Sequence, residues 1–159
     1  MKYSDSPGDA YALTIAATGA ANLASVGAMC ERAGVKSIVS SDPDQIAEAG
    51  QVLLPGAGAF GAAMGRLKEK KLDAALKERI RAKKPTMGIC LGMQMFCLDS
   101  EESPDIPGIG VIPARVGKFR TGLPLPQLGW NRVKPAEGRT IIKAGWAYFA
   151  NSYRVVSEP

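Results

Sequence analysis

Apolar residues in this chain gather in short blocks, separated by segments with a helical period. Ala12-Leu13-Thr14-Ile15-Ala16-Ala17 is an apolar run of strand length and predicts a buried first strand. Thr18-Gly19-Ala20-Ala21 is a small-residue turn, after which the Asn22 side chain can cap a helix. Leu23, Val26, Cys30 and Ala33 recur at helical spacing, and Gly34 supplies the stop. Ser37-Ile38-Val39 predicts a second strand. Asp42-Pro43 sets a cap residue before a proline at the first helical position, so a short helix is expected through Ala49. Gln51-Val52-Leu53-Leu54 predicts a third strand. Ala59 to Ala82 reads as helix, in two pieces around Lys71-Leu72. Thr86-Met87-Gly88-Ile89 predicts a fourth strand, and Leu91 to Leu98 is compatible with helix.

Strands alternating with helices predict an α/β fold with a mostly parallel sheet covered by helices on both faces. In such sheets ligands bind beyond the carboxyl ends of the strands. Pro55-Gly56-Ala57-Gly58 and Cys90 both fall at such ends, so two small-residue turns converge on one crevice. After Asp99 the texture changes. Ser100-Glu101-Glu102-Ser103-Pro104 and Pro107-Gly108 mark loops. Val111-Ile112, Val116 to Phe119, Trp130 to Val133 and Tyr153 to Val156 look like short strands, antiparallel ones appended to the parallel sheet.

The chain's 159 residues suit one domain, residues 1–159. No apolar run approaches the ~20 residues that span a bilayer. The polar segment 1–9 lacks a signal-peptide apolar block, so a cytoplasmic location is expected, with no membrane partner. Net charge is +5, concentrated in Arg66 to Lys71 and Lys77 to Lys84. Glutamates interleave there, which suits a solvated helix face better than a nucleic-acid footprint. Three cysteines, Cys30, Cys90 and Cys97, form no framework pattern. On one helix Cys90 and Cys97 would stand roughly 10 Å apart, too far to bridge. There is no histidine and no Cys-x-x-Cys pair, so neither a metal site nor a cofactor is expected.

Gly88-Ile89-Cys90-Leu91-Gly92-Met93-Gln94 carries the chemistry. An apolar strand delivers a cysteine to a sharp turn from which a helix departs, the shape of a nucleophile elbow with sulfur in place of the serine oxygen. Gly88 and Gly92 let the backbone bend tightly beside the thiol. The competing reading is a buried structural cysteine after a core strand.

These motifs resemble those of the class I glutamine amidotransferases, in particular the glutaminase subunits of imidazole glycerol phosphate synthesis in histidine biosynthesis. The resemblance rests on Asn22-Leu23-x-Ser25-Val26, Pro55-Gly56-Ala57-Gly58-Ala59-Phe60, the Cys90 elbow, Leu128-Gly129-Trp130-Asn131 and Tyr148-Phe149-x-x-Ser152-Tyr153, in that order over nearly the whole chain. It implies a flavodoxin-like fold. It also implies that Cys90 attacks the glutamine side-chain amide, and that backbone N–H groups of Leu91 and of Gly56, Ala57 or Gly58 hold the oxyanion. Gln94, Ser152 and Tyr153 would bind glutamine. Ammonia would pass to a (β/α)₈ cyclase partner in a heterodimer. Trp130 and Asn131 read equally as interface residues or as core and turn residues.

Several positions depart from the family pattern. The first turn, usually Asp-Tyr-Gly-x-Gly-Asn, is Ala17-Thr18-Gly19-Ala20-Ala21-Asn22. Gln127 and Asn151 stand where the family has histidines, and its C-terminal His-x-Glu has no counterpart before Pro159. The domain is therefore expected to be C-terminally incomplete relative to the family. Three readings stay open: a glutaminase subunit or part of one, a catalytically inactive truncated or diverged relative acting as a binding module, and a different cysteine enzyme on a similar sheet.

Overall fold

The computed structural model describes residues 12–19, 21–135 and 142–156. The polar segment 1–9 and Ala20 of the first turn lie outside them. Two compact units emerge, one running to Gly117 and taking in the chain again from Val155, the other comprising Lys118–Arg154.

The larger unit is built on four parallel strands in the order β2-β1-β3-β4. These are β1 (Leu13–Ala16), β2 (Ser37–Ser40), β3 (Gln51–Gly56) and β4 (Thr86–Cys90). Helices α1 (Leu23–Arg32), α2 (Pro43–Glu48), α3 (Phe60–Glu69) and α4 (Leu72–Arg81) make the crossovers. The caps foreseen from sequence form: Asn22 Oδ1 accepts the Ser25 N–H at 3.1 Å, and Asp42 Oδ1 accepts that of Asp44 at 2.9 Å. Alternation along β3 sends Leu53 to one face with Ile15 and Cys30, and Leu54 to the other with Phe60, Met64 and Leu76. Both faces are therefore buried, as a parallel sheet under helices requires. Lys71, at φ 56°, breaks the long helical stretch into α3 and α4.

Helix α5 is shorter than expected, Leu91–Gln94 rather than reaching Leu98. Beyond Met95 the N–H groups leave the α-helical pattern. Those of Phe96 and Cys97 turn to the carbonyls of Met93 and Gln94, three residues back, and that of Leu98 donates to Ala114 O at 2.9 Å. A returning loop takes the carbonyls beyond Gln94. Gly108, Ile109 and Gly110 donate to Leu98, Met95 and Cys97, while Val111 and Ile112 both donate to Phe96. That bonding also explains why Val111-Ile112 is not a strand. The loop is tied down at its far end by β5 (Arg115–Lys118), through Glu101 N–H to Val116 O at 2.9 Å and Val116 N–H to Asp99 O at 3.0 Å. β5 and β8 (Tyr153–Val156) form a two-stranded sheet.

The basic segments are less solvated than their composition suggests. Arg79 is 1% exposed. Its guanidinium donates to the Ile46, Ala47 and Ala49 carbonyls at the end of α2, to Pro85 O at 2.9 Å and to Thr86 Oγ1 at 2.8 Å. Helix ends leave carbonyls unpaired, and a planar cation with five donors satisfies several at once. Burial pulls its pKa down and Glu48 pushes it back up. Arg66 and Lys70 likewise reach the β1–α1 turn, donating to Gly19 O at 2.7 Å and Ala17 O at 2.9 Å. Arg79→Lys keeps the charge but loses the fork. It is expected to lower stability by about 2–3 kcal/mol, read from the denaturant midpoint at constant m-value.

In the smaller unit β6 (Gln127–Val133) and β7 (Gly145–Asn151) pair antiparallel in a sheet of their own. The sequence reading had not marked β7 as a strand. Leu128, Trp130, Trp146 and Tyr148 share its exposed face, and Trp130 meets Tyr148 edge-on with ring centroids 5.7 Å apart. Trp130 is thus no core residue. Asn131 lies within β6 rather than in a turn, its amide donating to Gly129 O at 3.2 Å.

Candidate active site

Cys90 closes β4 with φ 55° and ψ −119°. A positive φ is costly for a residue with a Cβ and is held only where the surroundings force it. Here the forcing groups are glycines. A Cβ on Gly88 would lie 2.6 Å from Met93 Cα and 2.7 Å from Phe96 Cε2. One on Gly92 would overlap the Leu54 carbonyl oxygen, and one on Gly56 would stand 2.6 Å from the Gly92 nitrogen. The elbow is therefore wedged against the end of β3. Cys90 itself is exposed, which disposes of the buried structural reading for this thiol.

Gly56 is the register partner of Cys90 across β3 and β4, so their backbones run roughly 4.8 Å apart. Ala57 and Gly58 follow in an exposed turn, with Gly58 at φ 97°. Leu91 opens α5, where a helix leaves its first N–H groups without intrahelical acceptors. Gly56, Cys90 and Leu91 thus meet at one edge of the sheet. Gln94 sits one turn on, 9% exposed. Ser152 and Tyr153 belong to the smaller unit, Ser152 in the bend between β7 and β8 and Tyr153 opening β8. The Ser152 carbonyl accepts the Phe119 N–H at 3.1 Å, and that of Tyr153 accepts the Asn151 amide at 2.9 Å.

The other thiols differ in kind. Cys30 is packed against Ile15 and Leu53. Cys97 is fully buried, and burial, with Asp99 adding, pushes its pKa up, so it stays a neutral thiol. Among the described residues no three His, Cys, Asp or Glu side chains gather as metal ligands, and no helix is long and apolar enough to cross a membrane.

Two residues at the site escaped the sequence reading. Helix α3 starts right after the Pro55–Ala59 turn, and Ala59 gives it no side-chain cap. The cap comes from far along the chain: Glu102 Oε2 accepts the Phe60 N–H at 2.7 Å and Ser103 Oγ accepts that of Gly61 at 3.1 Å. The available signal was a helix start without a polar cap of its own, set against an acidic, serine-containing loop later in the chain.

Comparison with known proteins agrees with this geometry. A model of the CobB/CobQ-like glutamine amidotransferase domain matches residues 22–120. An imidazole glycerol phosphate synthase subunit HisH from Symbiobacterium thermophilum is 42% identical over 89% of this chain and 68% of its own length. HisH proteins from Carboxydothermus hydrogenoformans (41%; 83% of this chain, 68% of that protein) and Escherichia coli O157:H7 (39%; 92% and 76%) are similar. A crystal structure of a glutamine amidotransferase superposes with TM-score 0.68 at 15% identity, over 87% of this chain and 70% of that one, and shows the same fold. The chain belongs to the class I glutamine amidotransferases, among the HisH-type subunits.

Proposed function

We propose that this chain is the glutaminase part of an imidazole glycerol phosphate synthase. The observation that carries the reading is Gly56 in register with a strained, exposed Cys90, in a chain about 40% identical to HisH proteins. Glutamine enters with its side-chain amide over Cys90. The thiolate sulfur adds to the amide carbon, and the carbonyl electron pair moves onto oxygen. Backbone N–H groups of Leu91 and of the Gly56-Ala57-Gly58 turn receive that oxyanion. The tetrahedral species collapses as the nitrogen takes a proton and leaves as ammonia, and a glutamyl thioester remains on Cys90. Water then releases glutamate. Gln94 holds the substrate beside the elbow. Ser152 and Tyr153 enter this assignment on their motif alone.

The ammonia goes to a (β/α)₈ cyclase, the partner that the family resemblance implies. An exposed row of Leu128, Trp130, Trp146 and Tyr148 is the type of aromatic surface that protein interfaces favour.

Treatment with a diazo-ketone analogue of glutamine tests the core of the reading. Peptide mass mapping should find the label on Cys90, with Cys30 and Cys97 unmodified until the protein is unfolded, because only Cys90 is exposed. Glutamine in excess should protect it. Label mainly on Cys30 or Cys97, or no protection by glutamine, would remove Cys90 from its role.

A further inference from the structure

We propose that Ser103, with Glu102, is a positioning residue that sets the oxyanion turn from the loop following the nucleophile elbow. This assignment rests on the glutaminase reading and goes beyond it. The turn Pro55–Ala59 is held at its start by the β3–β4 register, where Gly56 faces Cys90. Its other end has no side-chain cap of its own, since Ala59 has no side-chain oxygen to offer α3. The exposed Ala57, Gly58 and Ala59, with Gly58 at φ 97°, would otherwise be loosely determined.

The Ser103 hydroxyl and Glu102 carboxylate close that end by taking the Gly61 and Phe60 N–H groups, at 3.1 and 2.7 Å. The fit is tight. A Cβ on Gly61 would stand 2.8 Å from Ser103 Oγ and 3.2 Å from Ser103 Cβ, so glycine at 61 is what lets the serine approach. Ser103 is itself fixed, its N–H bonded to Ser100 O at 3.0 Å, and Ser100 Oγ accepts the Glu102 N–H at 3.2 Å. The same loop bonds to the end of α5 and to β5. One loop therefore links the segment after the nucleophile to the segment that supplies oxyanion donors. Donor placement matters on a scale below an ångström, because a hydrogen bond to a developing oxyanion works only over a narrow distance range.

The test compares two electrophiles on the full chain. The diazo-ketone analogue of glutamine needs both the thiol and the carbonyl-binding donors; iodoacetamide at low concentration reports chiefly on the thiol. Ser103→Ala should lower the diazo-ketone rate at Cys90 by about tenfold or more while leaving the iodoacetamide rate within about twofold. Ser103→Thr, which keeps the hydroxyl, should restore the ratio of the two rates. Gly61→Ala, which pushes the serine away, should reproduce the Ser103→Ala ratio. Circular dichroism melts identify any variant that has unfolded, and the ratio is then read at a temperature below its transition. If both rates fall together in folded Ser103→Ala, or the ratio does not move, the positioning role is overturned. If the unsubstituted chain shows no glutamine-protected diazo-ketone labelling, the glutaminase reading fails first and this assignment falls with it.

Discussion

A polypeptide of these 159 residues, mixed with glutamine and a cyclase partner, is expected to release ammonia near the background rate. The same polypeptide extended by the C-terminal segment of a full-length relative should release it about 10²–10⁴-fold faster. The reason is proton bookkeeping at Cys90. Acylation needs a proton delivered to the departing nitrogen, and deacylation needs a base to take one from water. Cys90, Gly56, Leu91 and Gln94 supply a nucleophile, backbone donors and a substrate contact, but no separate general acid or base, and the sequence contains no histidine. Ammonia release measured by a coupled assay, with Cys90→Ser versions of both polypeptides as controls, decides the matter. Fast, Cys90-dependent turnover by the 159-residue polypeptide would show that another side chain does the acid–base work.

Gly92→Ala should be the most damaging single-methyl change in the larger unit. The added carbon would overlap the Leu54 carbonyl oxygen, a backbone atom in a strand buried on both faces. Backbone cannot swing aside as a flexible side chain can, so either β3 or the elbow must move. The expected cost is about 3 kcal/mol or more, with loss of diazo-ketone labelling even in the molecules that remain folded. Gly65→Ala serves as the comparison, since a Cβ there meets nothing within 4 Å and a helix favours alanine. A Gly92→Ala protein as stable as Gly65→Ala, and labelled as fast, would mean that the elbow is not wedged as described.

Much of this was legible in the chain because it was locally encoded. Asn22, Asp42-Pro43 and Lys71-Leu72 mark helix ends through their own side chains or backbone preferences, and the structure places helix ends there. The apolar blocks gave the four parallel strands, and the glycines around Cys90 gave the turn. What escaped detection depends on partners distant in sequence. Arg79 looks like any arginine in a basic helix until α2 delivers three carbonyls to it. The α5 helix looks longer than it is because the Leu98 N–H is claimed by Ala114, 16 positions on, and those of Phe96 and Cys97 turn to carbonyls three residues back. Strand β7 hides behind the mixed texture of Gly145 to Asn151 and is defined by its register with β6. Glu102 and Ser103 look like solvated loop residues because the helix they cap lies 42 positions earlier.

That last separation also bears on the order in which the molecule assembles. Helix α3 can grow from its own hydrogen bonds, but its first turn is completed only when a loop of 42 residues has closed. Closing it carries an entropy cost that grows with the logarithm of its length and is offset only once native contacts on both sides exist. The caps on Phe60 and Gly61 are therefore expected to be late contacts, made once the pairing of β3 with β4 has brought their ends together. Weakening them should leave the refolding rate nearly unchanged and speed unfolding instead. On that expectation the oxyanion turn takes its final shape after the sheet and loosens before it, so that the reactive edge depends on a sheet already in place.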